Sequence, residues 1–283
     1  MSFHREVIVF SDGIQGMKAD ACQKTTHLAI GAHQDDVEIM AMSGILECFG
    51  ISHNWFSSVT LSTGTGKNRK DIYRTLSDDE LKDVRVEEQK KAAIIGNYAV
   101  SISMKYQTQE IRMLDSNALE DIKSIILMMK PRIIFMHSPF DNYDTHVAAC
   151  ILTLKALQEV REEYIPERLL GCEVWGSLDW LPTKFKVYLP VQDRENIINA
   201  CMGVYDSQIY GGKRYDLGVN SRLQSNAVFS LDSKYGYEKK VAFAINLKPL
   251  IWKDLNGVLD FIDVVIDSYR KDVLFNLKKI LKE

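Results

Sequence analysis

Short apolar runs alternate with longer amphipathic segments through the first two thirds of the chain. The runs at 26–32, 54–62, 100–106 and 132–137 have the length of buried strands, and 39–49, 81–97, 117–129 and 145–160 have the spacing of helices. In the last of these, Val147, Ile151, Leu154 and Leu157 share one face. Ser77, with Glu80 three residues on, is a capping box that predicts where the helix over 81–97 opens. Strand and helix in repeated alternation predict parallel βαβ units with right-handed crossovers. The expected architecture is therefore α/β, a Rossmann-like three-layer fold with a mostly parallel sheet. Beyond about residue 165 the pattern loosens. Edge strands are predicted at 172–177 and at 185–189, the second bounded by Pro182 and Pro190, with a helix over 196–205 and a short strand over 241–246. The chain ends in a long helical segment, 254–281, with apolar residues at Val258, Leu259, Ile262, Val265, Ile266, Tyr269, Val273, Leu277 and Ile280. This helix is expected to pack on the domain, with an oligomer interface as the sharper alternative. No repeat or linker interrupts the pattern, so residues 1–283 read as a single domain: a core over about 26–210 and a C-terminal extension over about 211–283.

Composition narrows the function classes. With 283 residues, 46% of them hydrophobic, the chain can bury a large core. A formal net charge of −3, from 35 basic and 38 acidic residues, gives no electrostatic case for nucleic acid. The five cysteines are odd in number, scattered and without a Cys-x-x-Cys pair, the pattern of reduced thiols in a cytoplasmic protein. The N-terminus lacks the apolar run of a signal peptide, and no stretch reaches membrane-spanning length without a charge. A membrane partner is not expected.

The first apolar run ends in an unusual way. Residues 28–38 read Leu-Ala-Ile-Gly-Ala-His-Gln-Asp-Asp-Val-Glu. Three ionisable groups at a strand tip, His33, Asp35 and Asp36, cost desolvation energy unless a cation or a substrate compensates them. The carboxyl ends of strands are also where ligands bind in open α/β sheets. Hydrolytic zinc commonly takes three His, Asp or Glu ligands and leaves one position open. His33 and Asp36, three apart, are close enough to chelate one ion. The fourth strand offers a third ligand in Phe135-Met-His-Ser-Pro-Phe-Asp-Asn-Tyr-Asp-Thr-His146, where His146 falls in the first turn of the next helix. Asp36 as a mere helix cap would leave His33 and Asp35 unexplained. His137 reads as a core or neighbouring histidine outside the metal set, and Asp141 as a turn residue that could orient a ligand.

At these two segments the sequence resembles the PIG-L (LmbE-like) zinc deacetylase family. The family's Ala-His-Pro-Asp-Asp-Glu becomes Ala32-His33-Gln34-Asp35-Asp36-Val37-Glu38, and its Thr-His-x-Pro-x-Asp-x-x-x-Asp-His becomes 136–146. The run at 84–96 and Tyr205-Asp-Ser-Gln208 look similar as well, so the resemblance spans about 26–210. It implies zinc ligands at His33, Asp36 and His146, one Zn2+ or similar divalent ion per chain, and a general base at Asp35. The implied reaction is hydrolysis of an amide C–N bond, N-deacetylation of a small N-acetylated sugar or glycoconjugate. The chain departs from the pattern on the acid side. Many relatives carry His-x-Asp-His, and the matching positions here are Tyr143 and Thr145. Tyr143 could donate a proton only if its pKa fell well below about 10. His137, Asp144 and a protonated Asp35 are the other candidates. Gln34 in place of Pro implies a less rigid loop, and Val37 displaces the acidic residue to Glu38.

Two loops have weaker readings. Gly64-x-Gly66-Lys67-Asn68-Arg69 lacks Walker or dinucleotide spacing, and Asn68 or Arg69 could contact substrate where the family's pocket loop lies. Gly211-Gly-Lys-Arg-Tyr-Asp216 reads as a lid or a plain surface loop. The rival functions are a catalytically silent metal- or ligand-binding protein, a deacylase of a non-sugar amide, and a nucleotide-binding module. The acids at the first strand's tip argue against the last.

Overall fold

The computed structural model describes residues 3–11, 14–16, 18–65, 69–191, 193–230 and 240–282. Nine strands form one sheet: β1 (Val7–Ser11), β2 (Ile14–Gln15), β3 (His27–Gly31), β4 (Phe56–Ser62), β5 (Val100–Tyr106), β6 (Ile133–His137), β7 (Arg168–Cys172), β8 (Lys186–Pro190) and β9 (Val241–Asn246), in the order β2-β1-β5-β4-β3-β6-β7-β9-β8 among the described residues. The central five, β5-β4-β3-β6-β7, are parallel, and antiparallel strands extend both edges. The chain starts the parallel set at β3, builds outward through β4 and β5, then returns to β3's other side with β6. The β3–β6 seam is therefore the topological switch point, where the connections leave a crevice at the strands' carboxyl ends.

Every residue of β3, β4 and β6 is buried, as expected of parallel strands covered on both faces. Side-chain alternation then sorts them into two cores. Leu28, Ile30, Ile134 and Met136 join one, with the helices Ser116–Met129 and Asp144–Glu159; Ala29, Ile133 and Phe135 join the other, with Met40, Ile45, Ala93 and Ile198. Three layers result, as the alternating pattern predicts.

Several boundaries follow local chemistry. The helix Asp78–Ile95 opens at Ser77, whose hydroxyl accepts from the Glu80 N–H while Glu80 reaches back to the Ser77 N–H. The helix expected over 39–49 starts earlier and is two short helices, Asp36–Met40 and Met42–Cys48. The strand expected at 172–177 lies instead at β7. Glu173 is the reason: its buried carboxylate accepts from the N–H groups of Leu178 and Phe243 and from the Asn226 amide, which pulls the chain out of the sheet.

The long C-terminal helix, Leu255–Leu281, departs from the expected packing. Val258 and Val265 are buried, but every residue from 271 to 280 is exposed, so only its first half lies on the body. Leu259, Ile266, Val273, Leu277 and Ile280 face solvent. All five cysteines are free and buried. No described helix is long and apolar enough to cross a membrane.

Candidate metal centre and active site

The crevice at the β3–β6 seam collects the sequence's suspects. His33 and Asp36 follow β3 directly, and Asp36 opens its short helix. His146 lies in the first turn of Asp144–Glu159, the helix that returns from β6. His33 Nδ1 and His146 Nε2 are 3.2 Å apart, and they lie 3.3 and 3.4 Å from the two carboxylate oxygens of Asp36. Donors ~2.0–2.1 Å from a tetrahedral zinc are roughly 3.3–3.4 Å from one another. The spacing of these side chains therefore fits a small divalent cation.

The surroundings fix which atoms point inward. Asp141 Oδ1 is 3.1 Å from His146 Nδ1, a charge contact that favours the proton on that nitrogen and leaves Nε2 as a lone-pair donor. Asp141 is itself held by the N–H groups of Tyr143, Trp175 and Gly176. His137 Nε2 accepts from the Ala32 N–H at 2.9 Å, and its ring stacks under His146 at 4.1 Å. A second set of closely spaced atoms, on His137, Asp141 and His146, could also hold an ion. That set is buried behind the crevice, and its Asp141 oxygens already serve three backbone donors. His33, 21% exposed, opens the first set to solvent.

The two adjacent aspartates differ sharply. Burial alone would raise Asp36, but the charges of His146 and His137 hold its carboxyl well below the usual range. Burial, and then the charge of Asp36, push Asp35 well above that range. One carboxylate is thus kept ionised and the other proton-seeking, the separation that divides ligand from base in hydrolytic sites. A cation beside Asp36 would lower Asp35 again. Asp35 sits at φ 83°, a backbone region that strains any residue with a Cβ.

Asp35 faces two groups that the sequence offered only as parts of longer runs, Arg85 within 84–96 and Tyr215 within the 211–216 loop, which does border the cleft. Arg85, from the helix Asp78–Ile95, is buried and lowers the Asp35 pKa by its charge. The buried Tyr215 hydroxyl also faces Asp35, makes no hydrogen bond of its own, and is held protonated, by burial first and then by the Asp35 charge. Both line a cleft of ≈ 320 Å³ together with His33, Asp36, Tyr143 and Trp175. Gly64, at φ +65°, leaves room there: a Cβ would lie 2.4 Å from Gln34 Oε1 and 2.8 Å from Arg85 Nη1. A larger groove, ≈ 690 Å³, runs between the C-terminal helix and Trp180, away from this cluster.

Other expectations fall elsewhere. Arg69 does not reach the cleft; its guanidinium is bound to the Leu76 carbonyl and to Asp78 at the start of a helix, leaving Arg85 as the cation beside Asp35. Asn68 lies outside the described residues. Asp144 is exposed on the helix's first turn, His137 lies beneath the site, and neither lines the cleft. Tyr143 does line it, its ring stacked on His146 at 5.4 Å and beside Trp175 at 5.3 Å. Gln34 does not loosen its loop as its replacement of Pro implied. It is buried, its amide donates to the Ser62 carbonyl, and its own carbonyl accepts from Gln208.

The remaining similar runs also brace the site from behind. Glu38 is fully buried and accepts from Tyr98 (2.8 Å), Tyr205 (2.7 Å) and Gln89 (3.1 Å). Ser207 donates twice to Glu88. Burial pushes Glu38 up to about 7 against the hydrogen bonds of Tyr205 and Tyr98, from an ordinary 4.5. Between those values the unfolded chain's glutamate is ionised while the folded one keeps its proton. Its contribution to stability therefore falls as pH rises from 4.5 to 7 and is level above, by about 3 kcal/mol in all. Urea unfolding of wild type and Glu38→Gln from pH 5 to 8 checks this. The stability difference should shift against wild type as pH rises, and a pH-independent difference would refute it.

A family profile described as PIG-L: GlcNAc-PI de-N-acetylase matches residues 28–157, from β3 to within the His146 helix. No curated protein matches. Among solved structures, an A40926 pseudoaglycone deacetylase is 16% identical with a TM-score of 0.56, covering 79% of this chain and 97% of its own. An N,N'-diacetylchitobiose deacetylase from Pyrococcus horikoshii is 14% identical (TM-score 0.58, 81% and 85% covered). GalB, a 4-carboxy-2-hydroxymuconate hydratase from Pseudomonas putida, is 17% identical (TM-score 0.58, 79% and 96% covered). At these identities the neighbours speak for the fold, which hosts more than one chemistry. The family profile speaks for likeness in sequence: residues 28–157 match the PIG-L family model.

Proposed function

We propose that this chain is a metal-dependent amide hydrolase that removes an N-acetyl group from an amino sugar or a related small molecule. The observation that carries the reading is the cluster of His33, Asp36 and His146, whose histidine nitrogens are 3.2 Å apart and each within 3.4 Å of an Asp36 oxygen, with proton-seeking Asp35 beside it in an open cleft. His33, Asp36 and His146 would hold the ion, and His with carboxylate donors suit zinc. A cation bound there supplies Lewis acidity and makes a water acidic enough to ionise near neutral pH.

The chain's own residues supply the rest. Asp35 takes the proton from the attacking water and directs it at the amide carbon. Tyr215, kept protonated, offers its free hydroxyl to the oxygen that gains charge as the carbon becomes tetrahedral. No His–Asp pair stands on the acid side, so Asp35 returns its proton to the leaving nitrogen. The C–N bond then breaks into acetate and free amine. Asp141 keeps His146 in its metal-facing tautomer.

Metal analysis and a panel of N-acetylated sugars test this reading. The purified protein should hold about one divalent ion per chain and release acetate from at least one panel member. His146→Ala should lose both the metal and the activity. A wild-type chain that binds no divalent metal, or a His146→Ala variant that still releases acetate, would overturn it.

A further inference from the structure

The acid side of the cleft holds cations where the family pattern has a His–Asp pair. Thr145 replaces the aspartate, and its hydroxyl accepts from Arg112 Nε at 3.0 Å. That bond occupies one edge of the guanidinium and fixes the plane of the rest. Arg112 lines the cleft, is exposed, and has no carboxylate within ion-pair distance among the described residues. Lys213, from the loop before the helix Tyr215–Val228, lines the same cleft. Its ammonium lies over the Trp175 ring at 5.1 Å and likewise lacks a carboxylate partner among the described residues.

Charge balance makes these two conspicuous. Asp36 lies against His146 and His137, and Asp35 faces Arg85. Arg112 and Lys213 remain, two uncompensated positive charges at the mouth of one cleft in a chain whose net charge is −3. Exposed arginines and lysines usually face water, but here one is anchored by a side-chain hydrogen bond and the other by an aromatic face. A guanidinium held through Nε presents its two terminal amino groups as a fork, the shape that binds a carboxylate or phosphate through two parallel hydrogen bonds.

We propose that Arg112, assisted by Lys213, binds an anionic group of the substrate, a carboxylate or phosphate on the same molecule as the amide. The inference rests on the hydrolase reading for the identity of the reacting group, but the binding it predicts does not require turnover. Arg112 is a specificity residue here; the chemistry stays with Asp35.

The test compares N-acetylglucosamine, its 1-phosphate and N-acetylmuramic acid, the last bearing a carboxylate. Calorimetric titration into metal-loaded Asp35→Asn protein reads binding without hydrolysis, and kcat/KM on the wild type reads selectivity. At least one anionic probe should bind about ten- to a hundredfold tighter than the neutral sugar. Arg112→Ala should remove most of that advantage. Arg112→Lys should keep part of it, since charge survives but the fork does not, and added salt should shrink it. The phosphate and carboxylate arms tell which anion is preferred. Phosphate held by the metal alone would keep its advantage in Arg112→Ala, which would overturn the proposal. So would equal binding of charged and neutral probes, or no binding of any. If the anions bind as expected but no probe is hydrolysed, the hydrolase reading fails and the anion site stands.

Discussion

Asp35→Asn is expected to lower turnover by about 10²–10⁴-fold, the usual worth of a positioned general base, while the protein keeps its metal and its fold. Asparagine has nearly the same shape and, like aspartate, tolerates positive φ better than most residues, so φ 83° survives the change. The donor atoms that fit a cation belong to His33, Asp36 and His146, and the substitution touches none of them. An amide cannot take up the proton that the reaction releases, so the loss falls on kcat. Steady-state kinetics, metal content and circular dichroism on the same sample check this. Loss of metal would make Asp35 a ligand, and retained turnover would hand the proton to another group.

Three residues on, Glu38→Ala is expected to lower folding stability by roughly 3–6 kcal/mol. The carboxylate satisfies two tyrosine hydroxyls and one glutamine amide, all buried, and each orphaned donor costs ~1–3 kcal/mol. A domain's whole stability is typically ~5–15 kcal/mol, so this change brings the chain near its threshold. Urea titration measures it directly. A loss under about 1 kcal/mol would mean that water enters and replaces the carboxylate. The pair of substitutions separates two roles within a single motif: the action on substrate proposed for Asp35, and the tie that Glu38 makes from the helix Asp36–Met40 to Tyr98 and Tyr205.

Local signals carried much of the fold. Ser77 and Glu80 marked a helix start because capping is a short-range hydrogen-bond pattern, and the apolar runs at 100–106 and 241–246 form strands with those bounds. Glu173 defeated the strand at 172–177 because its partners, Phe243 and Asn226, come from fifty or more residues away. Val7–Ser11 is apolar yet gives no local sign of a strand, because β1 depends on antiparallel pairing with β5 far along the chain. In the site, the His and Asp residues stood out by type and crowding. Tyr215, Arg85 and Arg112 did not, because a tyrosine or arginine in a helix or loop is unremarkable until the fold turns it into the cleft. Arg69 was a plausible substrate contact by position, but Asp78, newly fixed at a helix start, captured it.

The backbone at residue 35 has an evolutionary consequence. Glycine alone would relax at φ 83°, so the position is held away from its most stable residue by what its side chain does. On the proposed mechanism, drift toward greater stability at this site leads directly to an inert protein. A lineage that ceased to need the chemistry should lose Asp35 early, well before it lost Glu38, whose removal would unmake the fold.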